Sequence, residues 1–278
     1  MAKRKWYIFV AGCMFSIMIQ FLYLHSKLSK PMVLPIIKTI VRKPTILVGV
    51  LITDSVPSSR IDAYRKSLEI FQNQNNSYSD IRLIFFLGQS AQQGQFLNKS
   101  DIIRGNFPEN MNNGKSFEWL KTAVTWFRSY RGGYNRHDMV VKMDTDTTVN
   151  WKALDEKIRT FSTPVYFGVR AGFIKCGMHP HCPPKSCEEK LDFSDACWMY
   201  MQGGFYGISM DIVHELVSVC PVPSRDPSGH EDLLIGLWIK KCGIQVNIVG
   251  ANAGEVFCHS TYMPDERIVD YADYACNK

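Results

Sequence analysis

The amino-acid sequence predicts an α/β domain built on a mostly parallel central sheet. Short β-branched apolar runs alternate with amphipathic segments, in the order strand, helix, strand, helix, strand, helix, strand, which is typical of a sheet covered by helices on both faces. The chain has 278 residues, 46% hydrophobic and 21% charged, so it can bury a sizeable core and is not of disordered composition. The net charge of +6 is too thinly spread for a nucleic-acid-binding face.

The first element is an apolar run that we interpret as a membrane anchor. Residues 6–24 carry no charge and follow the basic Lys3, Arg4 and Lys5. As a helix, with a rise of about 1.5 Å per residue, this run would nearly span a membrane hydrocarbon core of about 30 Å. The basic flank predicts a cytoplasmic tail over residues 1–5 and a lumenal location after residue 24. The alternative is a cleaved signal peptide, but the run exceeds the usual length of about 7–15 residues and no small-residue cleavage site follows it.

The next elements are a stem over residues 25–44 and a lumenal domain over residues 45–278. Apolar and β-branched runs predict strands, and apolar residues at spacings of three and four predict helices. The expected strands are Thr45–Thr53, Ile81–Leu87, Asp138–Met143 and Val165–Val169, and the expected helices are Ser58–Phe71, Ser116–Tyr130 and one capped by Asn150. Ligands of such sheets collect beyond the carboxyl ends of the strands, so a site is expected just after Met143.

Cysteines are concentrated in the second half of the chain. One of the nine lies in the apolar run, and eight follow from residue 176 onward: Cys176, Cys182, Cys187, Cys197, Cys220, Cys242, Cys258 and Cys276. This even number predicts up to four disulfides in an oxidising compartment, with a connectivity that the spacing leaves open. His179 and His181 lie near two of these cysteines, but their spacing matches no common zinc pattern.

An acidic motif follows the third predicted strand, in the stretch Lys142-Met143-Asp144-Thr145-Asp146. Two carboxylates separated by one residue can share a hard cation such as Mg²⁺ or Mn²⁺, and that cation can stabilise a diphosphate leaving group. The alternative is an ordinary polar turn. An EF-hand loop is excluded, since Val149 stands where that loop needs glycine.

Three further groups are candidates for chemistry. Glu231 and Asp232 begin an amphipathic segment, where a carboxylate can act as a general base or can simply favour the positive end of the helix dipole. Gly203 and Gly204 permit close approach of a ligand, or an ordinary bend. His259 follows an apolar stretch, where a histidine is usually packed and hydrogen bonded.

The order of these motifs resembles the inverting β-1,3-glycosyltransferases of glycosyltransferase family 31, which include β-1,3-galactosyltransferases. The resemblance runs from about residue 45 to about residue 259. Five features carry it, in chain order. They are the basic helix (Arg60 and Arg65), the strand ending in glycine (Ile81–Gly88), the Lys-x-Asp-x-Asp motif (Lys142–Asp146), the glycine-rich segment (Gly203–Ser209) and the Glu-Asp-x-x-x-Gly motif (Glu231–Gly236).

The resemblance implies a GT-A type nucleotide-sugar-binding domain and a role for each matching residue. Asp146 and His259 would bind Mn²⁺ or Mg²⁺, and Asp144 would lie near the metal or the ribose. Asp232 would take the proton of the acceptor hydroxyl, with Glu231 as its alternative. The residues implied to contact the nucleotide or the donor sugar are Arg60, Arg65, Lys142, Asp144, Gly203 and Gly204.

The resemblance further implies a Golgi-membrane enzyme of single-pass type II topology. It would transfer galactose or N-acetylglucosamine from the UDP-sugar to a glycan on a glycoprotein or glycolipid, and a homodimer is compatible with it. Thr145, Leu68 and Met201 depart from the family pattern of Asp, Trp and Cys. These departures leave a second hypothesis, a catalytically inactive relative that acts as a binding protein or chaperone. A disulfide-rich binding domain with no enzyme ancestry is a third, against which the acidic motif argues.

Overall fold

The computed structural model describes ten segments of the chain, all at or after residue 43. They are residues 43–74, 78–89, 100–109, 114–171, 182–187, 192–193, 197–220, 230–251, 254–259 and 265–269. The predicted tail, the predicted anchor over residues 6–24 and most of the stem lie outside these segments. Within them, none of the helices has the length and apolarity that a membrane span requires.

The core of the fold is a seven-stranded sheet. Its strands, in spatial order, are β3 (Ile102–Pro108), β2 (Asp80–Gln89), β1 (Thr45–Leu51), β4 (Met139–Asp144), β7 (Tyr200–Ser209), β6 (Val165–Ala171) and β8 (Asn247–Gly250). Strand β7 runs antiparallel to both of its neighbours, and the other four pairs are parallel. The mostly parallel sheet predicted from the sequence is therefore confirmed. A separate two-stranded sheet pairs β5 (Thr147–Val149) with β9 (Phe257–His259).

Helices cover both faces of the large sheet. They are α1 (Ser58–Gln74), α2 (Lys115–Arg131), α3 (Trp151–Arg159), α4 (Met210–His214, continued by a π-helical turn over Glu215–Val219), α5 (Glu231–Lys241) and α6 (Asp265–Val269). Residues alternate between two core clusters along β1, because successive side chains of a strand point to opposite faces. Ile46 and Val48 pack with α1, α3 and α6, whereas Leu47 packs with α2, α4 and α5.

The seven elements predicted from the sequence are all present, with ends that shift by a few residues. Strands β3, β5, β7, β8 and β9 were not among the predicted strands. The glycine-rich segment around Gly203 lies inside β7. Its backbone is extended there, since neither Gly203 nor Gly204 has a positive φ.

Disulfides join the cysteines of the described segments, as the composition predicted. Cys187 is bonded to Cys197 and Cys220 to Cys242, and Cys182 and Cys258 are also in disulfides. The bond between Cys220 and Cys242 links the end of the π-helical turn to the residue that follows α5.

Candidate active site

The acidic motif lies at the carboxyl end of β4, on the turn that leads into β5. Oxygens of Asp144 and Asp146 and a nitrogen of His259 all lie within 4.8 Å of one another. The Oδ1 atoms of both aspartates are buried and have no hydrogen bond of good geometry, although each lies within ion-pair distance of a basic group. Buried carboxylate oxygens left in this way are costly unless a cation binds them, so the donor set fits a hard divalent metal.

Pairing between the two short strands brings His259 to the acidic turn. Thr147 lies opposite His259 in the antiparallel register of β5 and β9, and His259 Nε2 lies 3.0 Å from Asp146 Oδ1. Burial would raise the pKa of Asp146, but the close contact and charge of His259 lower it, and the same contact raises the pKa of His259. Gly204 leaves room for this imidazole, since a Cβ there would lie 2.6 Å from its ring.

Lys142 connects the acidic turn to the start of α5. Its side chain is only 3% exposed, and its Nζ lies 2.9 Å from Asp144 Oδ1 and 3.4 Å from Asp232 Oδ1. The same ammonium donates to the carbonyl of Gly203. Burial alone would lower the pKa of Lys142, but Asp232 and Asp144 raise it above its ordinary value, so the ammonium stays charged.

Asp232 presents a carboxylate in the first turn of α5, and its side chain is 22% exposed. Gly203 lies directly against it, since a Cβ at that position would be 1.9 Å from Asp232 Oδ2. Burial raises the pKa of Asp232, Lys142 opposes that rise and Asp144 adds to it. A carboxylate with a raised pKa and partial access to solvent is suited to accept a proton from a bound hydroxyl.

Glu231 precedes Asp232 but lies in a different environment. It is 7% exposed, and its carboxylate accepts hydrogen bonds from the backbone amides of Lys115 and Ser116 and from Ser116 Oγ. These groups belong to the first turn of α2, whose N-cap residue is Gly114, which has no side chain to cap the helix. Glu231 therefore supplies the anionic cap of α2 from a neighbouring helix.

The two basic residues of α1 occupy separate places. Arg60 donates from Nη1 to the carbonyl of Thr145 at 2.8 Å, so its side chain contacts the backbone of the acidic turn. Arg65 instead pairs through Nε and Nη2 with Asp101 and through Nη1 with Asp62. The structure therefore brings Arg60 to the cluster of Lys142, Asp144, Asp146, Gly203, Gly204, Asp232 and His259, and holds Arg65 in ion pairs on another side of the helix.

Sequence reasoning missed two residues that shape the acidic turn. Tyr64 donates its hydroxyl to the carbonyls of Thr147 at 2.6 Å and Thr145 at 3.0 Å. Thr147 Oγ1 donates to the carbonyl of Gly204 at 2.8 Å. Tyr64 lies on the buried face of α1, and the sequence carries no signal for the polar contact at the tip of its side chain.

The fold and the site together define an α/β domain in which an acidic cluster with the geometry to hold a cation lies near a partly exposed carboxylate. The galactosyltransferase family model matches residues 64–249, which is 186 of the 278 residues. The chain belongs to this family, the glycosyltransferase family 31 domain expected from the order of its motifs, and it is a glycosyltransferase.

Two solved structures resemble the chain weakly. A glycosyltransferase involved in the glycosylation of the major capsid of PBCV-1 shares 10% identity, with a TM-score of 0.38 over 83% of this chain and 98% of that one. A galactosyltransferase, LgtC, in complex with donor and acceptor sugar analogs shares 15% identity, with a TM-score of 0.39 over 75% of this chain and 73% of that one. Both likenesses are too low to add to the assignment. No curated protein matches the sequence.

Proposed function

We propose that the protein is a metal-dependent inverting hexosyltransferase of GT-A type, and specifically a β-1,3-galactosyltransferase that acts on glycan acceptors. The observation that carries the proposal is the convergence of two kinds of group on one end of the sheet. Asp144, Asp146 and His259 are grouped closely enough to hold a cation, and the carboxylate of Asp232 lies across the Lys142 ammonium from them.

The cation site suits Mn²⁺ or Mg²⁺. Carboxylate oxygens from Asp144 and Asp146 are hard ligands that both ions accept, and the imidazole of His259 adds a nitrogen ligand. When bound, such an ion would neutralise the diphosphate of a UDP-sugar as that group departs. Lys142 also places a fixed positive charge beside this region.

Asp232 is the residue that we assign as general base. In a single displacement, the acceptor hydroxyl oxygen forms a bond to the anomeric carbon of the sugar while the bond from that carbon to UDP breaks. The hydroxyl proton passes to the Asp232 carboxylate, and the configuration at the anomeric carbon inverts. Glu231 is the poorer candidate, because both of its oxygens already accept hydrogen bonds from the start of α2.

The change from Asp to Thr145 in the acidic motif is compatible with activity. The contacts of Thr145 with Arg60 and Tyr64 are made through its backbone carbonyl, which any residue offers. The two carboxylates that complete the cation site are on its neighbours. This arrangement favours an active enzyme over the inactive binding protein or chaperone.

A donor screen tests the proposal. The full-length chain, purified in detergent, would be incubated with glycan acceptors and either UDP-galactose or UDP-N-acetylglucosamine, with and without Mn²⁺. We expect transfer of galactose that requires the metal and gives a β-linked product. Transfer of N-acetylglucosamine alone would correct the donor, and no transfer from either UDP-sugar would favour the inactive relative.

We also propose that the catalytic domain lies in the Golgi lumen, anchored by residues 6–24. The disulfides of Cys187 and Cys220 support an oxidising compartment. In sealed microsomes the C-terminus should resist protease until detergent is added. Digestion of the C-terminus without detergent would contradict this topology.

A further inference from the structure

We infer that Arg60 is a positioning residue that holds the cation site in its binding-competent shape. It does so by joining the acidic turn, which carries Asp144 and Asp146, to the start of α6, the element that follows His259 along the chain. This inference rests on the proposed function, since it concerns the same site, and it departs from the sequence-based expectation that Arg60 contacts the nucleotide.

Arg60 connects the acidic turn to the segment that follows His259. Its Nη1 donates to the carbonyl of Thr145 at 2.8 Å, between the two aspartates of the turn. Its Nε donates to Asp265 Oδ1, also at 2.8 Å, and Asp265 begins α6 six residues after His259. One guanidinium therefore joins the acidic turn to the start of α6, and the Arg60 side chain is only 21% exposed.

Tyr64, one turn further along α1, supports the same backbone. Its buried hydroxyl donates to the carbonyls of Thr145 and Thr147. The contacts of Arg60 and Tyr64 with the turn thus fall on main-chain oxygens. They fix the path of the turn and leave the carboxylates of Asp144 and Asp146 available for a cation.

A physical need explains this arrangement. Two carboxylates close together repel one another when no cation lies between them, and a free turn would let them separate. A turn already held in place pays less ordering cost when the ion binds. The planar guanidinium fork can serve the carbonyl and the carboxylate in a fixed geometry, which a single lysine ammonium cannot reproduce.

The direct test is a calorimetric titration of Mn²⁺ alone into the full-length chain in detergent. The variants are Arg60→Lys, Asp265→Ala and the double variant. The matched control is Arg65→Lys, which alters an arginine of the same helix that is paired with Asp101. We expect Arg60→Lys and Asp265→Ala each to weaken Mn²⁺ binding by about 10–100-fold, the usual cost of losing a group that orients a metal ligand.

The double variant and the UDP titration separate positioning from direct contact. If Arg60 and Asp265 act through one bridge, the loss of Mn²⁺ affinity in the double variant should be about as large as the larger of the two single-variant losses. At saturating Mn²⁺, Arg60→Lys should bind UDP as the wild type does, because its defect lies in metal affinity. Arg65→Lys should bind Mn²⁺ within about twofold of wild type.

Three results would overturn the inference. They are wild-type Mn²⁺ affinity in Arg60→Lys, strictly additive losses in the double variant, and a UDP defect in Arg60→Lys that persists at saturating Mn²⁺. The last would make Arg60 a nucleotide ligand. Asp265→Asn replaces Asp265→Ala if thermal melting shows that the latter does not fold.

The titration also separates this inference from the proposed function. A wild type that binds no Mn²⁺ would refute the metal site and the inference together. A wild type that binds Mn²⁺ in an Arg60-dependent way but transfers no sugar would refute only the proposed reaction.

Discussion

Gly203→Ala adds one methyl group at the point where β7 passes the carboxylate of Asp232. The added Cβ would lie 1.9 Å from Asp232 Oδ2 and 2.7 Å from its Cγ, and ordinary van der Waals contact begins at 3.4 Å. The carboxylate must therefore move by about 1.5 Å, the difference between 3.4 and 1.9. Gly203 does not have a positive φ, so alanine brings no backbone strain and the perturbation is steric.

A displacement of this size predicts a selective loss of catalysis. Misplacing a catalytic group by about 1 Å can cost about 10²-fold in rate, so transfer by Gly203→Ala should fall by about that factor or more. Metal-dependent UDP binding should change little, because the aspartates of the acidic turn are not touched. The assay compares the rate of sugar transfer at saturating donor with the affinity for UDP in the presence of Mn²⁺.

Two other glycines of β7 provide matched variants. In Gly204→Ala the methyl group would lie 2.6 Å from the His259 ring, so UDP binding in Mn²⁺ should weaken together with transfer. In Gly207→Ala the nearest atom is the flexible methyl end of Met139 at 3.0 Å, so both properties should remain close to wild type. The reasoning assigns Asp232 to proton transfer and His259 to metal binding. Wild-type transfer by Gly203→Ala, or identical defects in Gly203→Ala and Gly204→Ala, would refute that separation of roles.

Three further changes test other parts of the site and its support. Asp146→Asn removes a charge that the cation needs, so Mn²⁺-dependent UDP binding and transfer should be lost together. Intact UDP affinity by calorimetry would exclude a metal-binding role for Asp146. Glu231→Gln removes the anionic cap of α2 at Ser116, so the free energy of unfolding should fall by about 1–3 kcal/mol in denaturant melts, while loss of transfer without loss of stability would make Glu231 the base. Replacing Cys220 and Cys242 by serine opens a loop with a sequence separation of 22 residues. The free energy of unfolding should fall by about 3 kcal/mol, and an unchanged melting temperature would contradict this.

The acidic turn was predictable because it follows directly from the end of a strand. The apolar residues of β4 place Asp144 at a carboxyl end whatever the rest of the fold does, and parallel sheets bind ligands there. The approach of His259 was predictable only from the family resemblance. It depends on pairing between β5 and β9, which have three residues each and are too short to produce a periodic signal.

The separate environments of neighbouring residues also needed the structure. Arg60 and Arg65 are five residues apart on one helix, so their side chains diverge by about 140° at about 100° per residue. Only Arg60 reaches the acidic turn. Likewise, Glu231 and Asp232 are adjacent on α5 and about 100° apart, so one caps α2 and the other meets Lys142. Sequence motifs show which residue types are available, but helix phase decides which of them face the site.

The measurement that most directly tests the central claim compares Asp232→Asn with the wild type in UDP binding and in sugar transfer. The substitution keeps the size of the side chain and removes its ability to accept the proton of the acceptor hydroxyl. We predict nearly unchanged Mn²⁺-dependent UDP affinity, with a transfer rate lower by about 10²–10⁴-fold, the usual contribution of a general base. Transfer at the wild-type rate would show that Asp232 is not the base, and would contradict the mechanism proposed for this site.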